Sequence, residues 1–476
     1  MRRVLICGAG EAGIMVMNEI RRHPEEHIEV VGFIDDDIKK IGKSIQGLKV
    51  FGGKLKLKEC IRNLNINEVI IAMPSISKKV IKGIVKTCKA EKVKLLIVPS
   101  TMEIIEGTVR FDQIKQLDLA DLLDRDEIRI NSDEIRNYIE SKRILVTGAA
   151  GSIGSELVRE LLRYNPHTII ALDMNENGLF YLSHDIKKVL NGRTKFIPCV
   201  SDIKYKNILD ELFYLYKPEI VFHAAAYKHV PLMENHIRMI FLNNVVGTRN
   251  MLDVSHYYRI EKFIGISTDK AVYPVSVMGK TKRICECMIG IYNKKGMESC
   301  SVRFGNVLGS NGSVITVFQD QINQGGPITI TSPYMERYFM TLHEATSLVL
   351  QAGSFGGSGN IYVLDMGKPI KIKELAENMI ILSGLTPGTD IKINYTGVRA
   401  GEKLSEELFY RDIKIIESRH KGIFIEKSIA DEKFIMDSLD TLTRDIYILN
   451  GEQINNAMDQ VLNIKTYFPV RTALTM

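Results

Sequence analysis

No apolar run in the chain reaches the roughly 18 residues that a membrane span needs, and no signal peptide precedes the first strand. The chain therefore reads as cytoplasmic. It also lacks a dense Lys/Arg block, and its net charge of +6 is small for 476 residues, which argues against a nucleic-acid partner. A cysteine framework is missing too. The seven Cys are scattered and odd in number, as expected of buried thiols in a reducing compartment. Cys285 and Cys287 form a C-x-C with no second pair at zinc spacing, so they read as core and no metal site is expected.

The composition, 45% hydrophobic and 25% charged, is that of a globular protein, and the length calls for two or more cores. One βα beginning occurs twice. RRVLICGAGEAGIMVMNEI carries Gly8, Gly10 and Gly13; KRILVTGAAGSIGSELVRELL carries Gly148, Gly151 and Gly154, with Ser152 and Ile153 inside the loop. Such glycines let the backbone turn tightly and approach a phosphate seated on a helix N-terminus. Roughly 20 residues on, each loop is followed by an acid closing a second strand, Asp35 and Asp173, placed to accept from adenosine ribose hydroxyls. That favours NAD over NADP.

Four regions follow from the pattern. Residues 1–111 form a Rossmann-like domain whose ligand stays open between a nucleotide, a nucleotide sugar and none. Residues 112–142 form a helical connector. Residues 143–411 carry the motifs, with strand-like runs (RILVTG, TIIALD, EIVFHAAA, KFIGIST, CSVRFGN) alternating with helical stretches, the mark of a doubly wound parallel sheet. Residues 412–476 form a C-terminal helical appendage. The fold class is thus α/β, with two Rossmann-like domains.

VTGAAGSIG, VSDI, FHAAAYKHVPLMEN, NNVVGT, STDKA…MGKTKR, VRFGNVLGSNGSV, ERYFMT and RAGEKLSEEL occur in that order. Together they resemble the extended short-chain dehydrogenase/reductases that act on nucleotide sugars, and most closely the polysaccharide-biosynthesis UDP-N-acetylglucosamine 4,6-dehydratases. Larger members of that family carry a Rossmann-like domain ahead of the catalytic one. They often begin with transmembrane helices, which this chain lacks; whether such helices were removed or never present stays open. The resemblance implies bound NAD, a UDP-sugar substrate, a small sugar-binding C-terminal part, and a homodimer formed through helices flanking the Lys282 helix.

Matched positions then acquire roles. Asp202 and Ile203 lie at the adenine, and Ala224, Ala225 and Ala226 beside the ribose and pyrophosphate. Lys282 holds the nicotinamide ribose. Lys228, Asn306, Arg337, Arg399 and Glu402 face the nucleotide sugar; Arg suits this because its fork grips a phosphate bidentately. His223 lies in an apolar strand and reads as core, while His229 is left open. Ala400 stands where the family has Pro, and Tyr273 where it has Asn.

The family reaction oxidises C4, removes the C5 hydrogen as the C6 hydroxyl leaves, and returns the hydride to C6. The resemblance assigns Asp269 as the acid at C6 and Lys270 as the base at C5, with Thr268 relaying the C4 proton. Short-chain dehydrogenases normally carry a Tyr four residues before the Lys, but here that position is Met278. One branch of the dehydratases shares the Met and is associated with retention at C5. Two alternatives stand beside this reading: a C4 epimerase, which needs the Tyr and has no use for an Asp-Lys pair, and a non-catalytic NAD-sensing regulator.

Overall fold

The structure, a computed structural model, describes residues 1–73, 78–98, 115–116, 130–190, 192–356, 359–383, 385–411, 413–427 and 431–462. It divides into two compact units. Among the described residues no helix is long and apolar enough to cross a membrane.

The first unit begins with β1 (Arg2–Cys7), α1 (Glu11–Arg22), β2 (Ile28–Ile34), β3 (Leu48–Gly52), β4 (Glu68–Ile71), α2 (Lys78–Ala90) and β5 (Lys94–Ile97). These strands form a parallel sheet in the order β3-β2-β1-β4-β5, with short antiparallel pieces at both edges. The strands are apolar on both faces, as a sheet covered on both sides requires. Residues 317–330 and 373–395 also belong to this unit and contribute a parallel strand pair, Ile328–Ile330 with Ile393–Tyr395. The boundaries expected from sequence are corrected here, because two stretches of the 143–411 region group with the N-terminal unit.

The second unit holds the motifs. It starts with α3 (Ser132–Ile139), then β6 (Arg143–Thr147), α4 (Ser152–Leu162), β7 (Thr168–Asp173), α5 (Glu176–Val189), β8 (Lys195–Val200), α6 (Lys206–Tyr216) and β9 (Ile220–His223). It continues with α7 (Gly247–Tyr257), β10 (Lys262–Thr268), α8 (Val277–Lys294), β11 (Ser299–Phe304), α9 (Leu342–Ser354) and β12 (Asn360–Leu364). The last elements are β13 (Ile416–Glu417), β14 (Ile423–Lys427), α10 (Glu432–Asp445) and α11 (Gly451–Val461). The nine-stranded sheet runs β8-β7-β6-β9-β10-β11-β12-β14-β13. Pairings from β8 to β12 are parallel, and β14 and β13 add antiparallel. Strand order reverses between β6 and β9, which opens a crevice at their carboxyl ends.

Two further expectations change. Of the connector 112–142, residues 112–114 and 117–129 lie outside the described residues; α3 is part of the second unit's core. Ile135 and Ile139 are fully buried, and the Tyr138 hydroxyl donates to the Leu350 carbonyl at 2.7 Å. The C-terminal stretch is not only a helical appendage, since Ile416–Glu417 and Ile423–Lys427 extend the catalytic sheet. A buried ion network ties that extension in. Arg303 on β11 reaches Glu286 on α8 at 2.9 Å and Glu426 on β14 at 2.7 Å.

α10 and α11 pack on α8, which is buried at every position from Val277 to Tyr292. Leu439, Ile454 and Met458 enter the same core as Met288 and Ile284. Lys280 on α8 donates to Asn455 and Asp459 on α11, both at 2.8 Å. The chain's own C-terminal helices thus cover α8 on that side.

Candidate active site

The cradle at the switch point follows from its glycines. Gly148 has φ +66°, and a Cβ there would lie 2.7 Å from the Ala225 nitrogen, so the loops after β6 and β9 approach too closely for a side chain. A Cβ on Gly154 would lie 2.0 Å from the Gly148 carbonyl oxygen, so only Gly lets α4 start there. Asp173 closes β7, accepting from Ala150 N–H at 2.9 Å and Asn175 N–H at 2.9 Å. Asp202 accepts from Lys204 N–H at 2.9 Å. Gly148, Gly151, Asp173, Asp202, Ile203 and Ala224–Ala226 line one cavity, joined by Ser201 and Asn243, which sequence reasoning missed. Acid, glycine turn and helix N-terminus fit an adenosine diphosphate half of a dinucleotide.

The N-terminal unit repeats this hydrogen-bond pattern. Asp35 accepts from Ala9 N–H and Asp37 N–H, each at 2.8 Å, and a Cβ on Gly13 would lie 1.9 Å from the Gly8 oxygen. One difference is that Lys40 pairs with Asp35 at 3.1 Å.

A second cavity of about 310 Å³ shares Ala224, Ala226 and Tyr227 with the first. Thr268, Lys270, Met278, Lys282, Asn306 and Lys228 line it, together with Ile153 from the glycine loop. β10 ends at Thr268, and the 3₁₀ turn Asp269–Ala271 follows, which brings Lys270 to the strand's carboxyl end. Ser276 caps α8 by accepting from Gly279 N–H at 3.0 Å, which fixes where Met278 and Lys282 point. Lys282 has no ion-pair partner among the described residues, and burial pushes its ammonium pKa down. Burial does the same to Lys228. His229, left open by the sequence, lies in this cavity, and its pKa is lowered by burial and then by Lys228. His223 is a core histidine. Its ring nitrogens meet Thr147 and Thr248 hydroxyls at 2.8 and 2.9 Å, and burial, then Lys282, bring it down to about 3.

Asp269 does not line the cavity; it is fully buried behind it. Its Oδ1 accepts from the Thr268 hydroxyl and from Lys270 Nζ, both at 2.9 Å, while Oδ2 is buried with no hydrogen-bond partner. Lys270 Nζ also donates to Asn306 Oδ1 at 3.0 Å. Thr268, Asp269, Lys270 and Asn306 therefore form one connected group, three members of which line the cavity while Asp269 lies behind it.

Three expected substrate ligands stand elsewhere. Arg337 is buried, and its guanidinium donates to the carbonyls of Glu336, Lys403 and Leu404 at 2.7–3.2 Å. Its fork is occupied by backbone, so it holds the 399–406 loop rather than presenting itself to a phosphate. Arg399 is exposed. Glu402 accepts from Arg399 N–H at 3.4 Å, closing that loop. Neither lines the cavity. Tyr273, at the position where Asn was expected, accepts from Arg411 N–H at 2.8 Å and packs edge-on against Tyr410.

A doubly wound sheet whose switch point carries a dinucleotide cradle, beside a lysine-rich cavity on the next strand ends, defines an extended short-chain dehydrogenase/reductase. Comparison with known proteins narrows this. Residues 144–428 match the family described as polysaccharide biosynthesis protein, and residues 1–99 match a CoA-binding domain. The chain belongs to that polysaccharide biosynthesis family, within the nucleotide-sugar branch of these enzymes. It is 41% identical to the capsular polysaccharide biosynthesis protein CapD of Staphylococcus aureus over 86% of this chain and 69% of the relative. It is 42% identical to the probable polysaccharide biosynthesis protein EpsC of Bacillus subtilis strain 168 over 90% of this chain and 71% of the relative. Among solved structures, Pen from Bacillus thuringiensis superposes with a TM-score of 0.56 at 30% identity, covering 61% of this chain and 89% of that one.

Proposed function

We propose that the chain is an NAD-dependent UDP-N-acetylglucosamine 4,6-dehydratase that gives a UDP-4-keto-6-deoxy-N-acetylhexosamine with retention at C5. One observation carries the reading: Thr268, Lys270 and Lys282 line one cavity with Met278 in the tyrosine position, and Asp269 is bonded to both Thr268 and Lys270. An epimerase at C4 needs one acid–base group and no partner for C5. An acid bonded to a lysine is what elimination across C5 and C6 demands.

When bound, NAD accepts the C4 hydride and returns it to C6. Asp173 and Asp202 would hold its adenosine half, and Lys282 the nicotinamide ribose. Thr268 relays the C4 hydroxyl proton into the Asp269–Lys270 group. Lys270, as the free amine, takes the C5 proton and later restores it to the same face. Asp269, as the acid, supplies the proton with which the C6 hydroxyl leaves as water. With Lys270 as the free amine, Asp269 takes up the C4 proton through the Thr268 hydroxyl, 2.9 Å away, and that proton is the one that leaves with the C6 hydroxyl, so the cycle closes with one water released. Lys228 and Asn306 face the sugar nucleotide, and Arg337, Arg399 and Glu402 shape the loop beside it.

The test is incubation with UDP-N-acetylglucosamine and mass spectrometry. Loss of one water supports the dehydratase. An isomer of unchanged mass points to an epimerase, and no turnover with NAD retained points to the regulator.

A further inference from the structure

This inference rests on the dehydratase reading and starts from what holds the catalytic turn in place. That reading asks Lys270 and Asp269 to meet two neighbouring carbons of one sugar, so the backbone of residues 269–272 must be fixed. A catalytic group displaced by about 1 Å can lose roughly 100-fold in rate. The sheet anchors the start of the turn, because β10 ends at Thr268. Something else must anchor the rest.

The carbonyls of the turn show what does. The Asp269 carbonyl accepts from Val272 N–H at 3.0 Å, inside the turn itself. The Lys270 carbonyl lies against α8, where a Cβ on Gly279 would stand 2.2 Å from it. The next two are bonded from a stretch far along the chain. The Tyr410 hydroxyl donates to the Ala271 carbonyl at 2.9 Å, and Lys403 Nζ donates to the Val272 carbonyl at 2.8 Å. Tyr273 follows with φ +41°, a left-handed conformation that a bulky side chain rarely adopts and that the family's Asn takes more readily. Such strain persists only where the surroundings over-determine it. The Tyr273 hydroxyl accepts from Arg411 N–H at 2.8 Å, and its ring packs edge-on against Tyr410 with centroids 4.7 Å apart. Tyr410 is buried in turn, with the Arg283 guanidinium 4.9 Å from its ring centre and that of Arg303 at 5.9 Å. Both arginines belong to the buried network with Glu286 and Glu426. Burial raises the Tyr410 pKa, so the phenol keeps its proton and stays a donor.

We infer that Tyr410 is the positioning residue of the catalytic turn, with Lys403 as a second hold: its hydroxyl at Ala271 and its ring against Tyr273 fix the backbone from which Asp269 and Lys270 project. Tyr410 does not line the cavity, and no bond is made or broken on it. It acts through Lys270, whose Nζ must reach C5 while Asp269 serves C6. Loosening the turn therefore weighs on the proton transfer at C5 and leaves the hold on the substrate unchanged. The anchor comes from residues 403–411 and the buried charge network behind them, outside the glycine loop and the Lys282 helix.

The experiment compares parent and Tyr410→Phe, both NAD-loaded, by kcat, by KM and by the kinetic isotope effect with UDP-N-acetylglucosamine deuterated at C5. Tyr410→Phe keeps the ring beside the arginines and against Tyr273, and removes only the donor to Ala271. It should lower kcat by roughly 10- to 100-fold with KM within about twofold of the parent. The isotope effect on kcat should rise, because a misplaced Lys270 slows C5 deprotonation and makes that step limit the rate. A merely structural role would lower the denaturation midpoint and leave the isotope effect of each NAD-loaded site where it was. A kcat within about twofold of the parent overturns the inference, and so does a loss that falls on KM alone. A fall in kcat with no rise in the isotope effect overturns it too. Should Tyr410→Phe fail to fold, Lys403→Met, which frees the Val272 carbonyl, decides by the same readings. If the parent itself releases no water, the dehydratase reading fails and the inference falls with it; if the parent does release water, only the inference is at stake.

Discussion

Asp269 and Lys270 are neighbours in the chain with opposite surroundings. Lys270 opens on the cavity, and Asp269 is sealed behind it. Each is assigned one proton transfer, so Asp269→Asn and Lys270→Ala should each lose roughly 10²–10⁴ in rate while NAD stays bound. Near-parent turnover in either would reduce the pair to a structural ion pair. Met278 lines the cavity as an apolar group with no proton to give. Met278→Leu conserves volume and should cost less than about 1.5 kcal/mol and keep most activity. Thr268→Val removes the hydroxyl that joins the cavity to Asp269, and should diminish the transient nicotinamide signal. Glycines and acids were legible at this scale because their constraint is local: a positive φ, a missing Cβ, an acid at a strand end. Arg337 was not. Its residue type suits a phosphate, but which partner its fork meets depends on where the 399–406 loop lands.

Among the elements, β11, α8 and β14 are joined by a buried charge network. Burial alone would raise the Glu286 pKa, but Arg303 and then Arg283 outweigh it and bring it down to about 2. A carboxylate depressed on folding stabilises the native state above its ordinary value of 4.5 and loses that contribution as pH falls toward 2. Acid denaturation should therefore be gentle down to the ordinary carboxylate range and steep below it, as followed by circular dichroism. Arg303→Met leaves Glu286 with Arg283 alone and takes from Glu426 its nearest cation, and should cost about 3–5 kcal/mol in denaturant unfolding. The strand IFIEK that carries Glu426 gave no clear sign in the sequence, because five residues with an inward glutamate have neither helical period nor a clean alternation. The helices after it were legible as helices, since their apolar spacing is local. Their target, α8, was not, because nothing in an amphipathic stripe names what it covers.

Taken whole, the molecule joins two glycine-loop units of the same design, one of which carries the lysine-lined cavity. The doubly wound order of the second unit was readable from alternating strand and helix patterns. Its partition was not, because residues 317–330 and 373–395 leave one unit for the other. The proposed chemistry returns its hydride, so purified protein should carry NAD, need no added oxidant and accumulate no NADH at steady state. Stoichiometric NADH, seen by absorbance, would sink that proposal. The wrapping of α8 by α10 and α11 also orders events in time. Synthesis runs from the N-terminus, and residues 432–461 emerge long after Met278 and Lys282. Until they arrive, the helix that bears Lys282 shows an uncovered apolar flank. A chain stalled before residue 432 would display that flank to the cell's quality-control machinery. Arrival of residues 432–461 is therefore what closes that flank of α8 during synthesis.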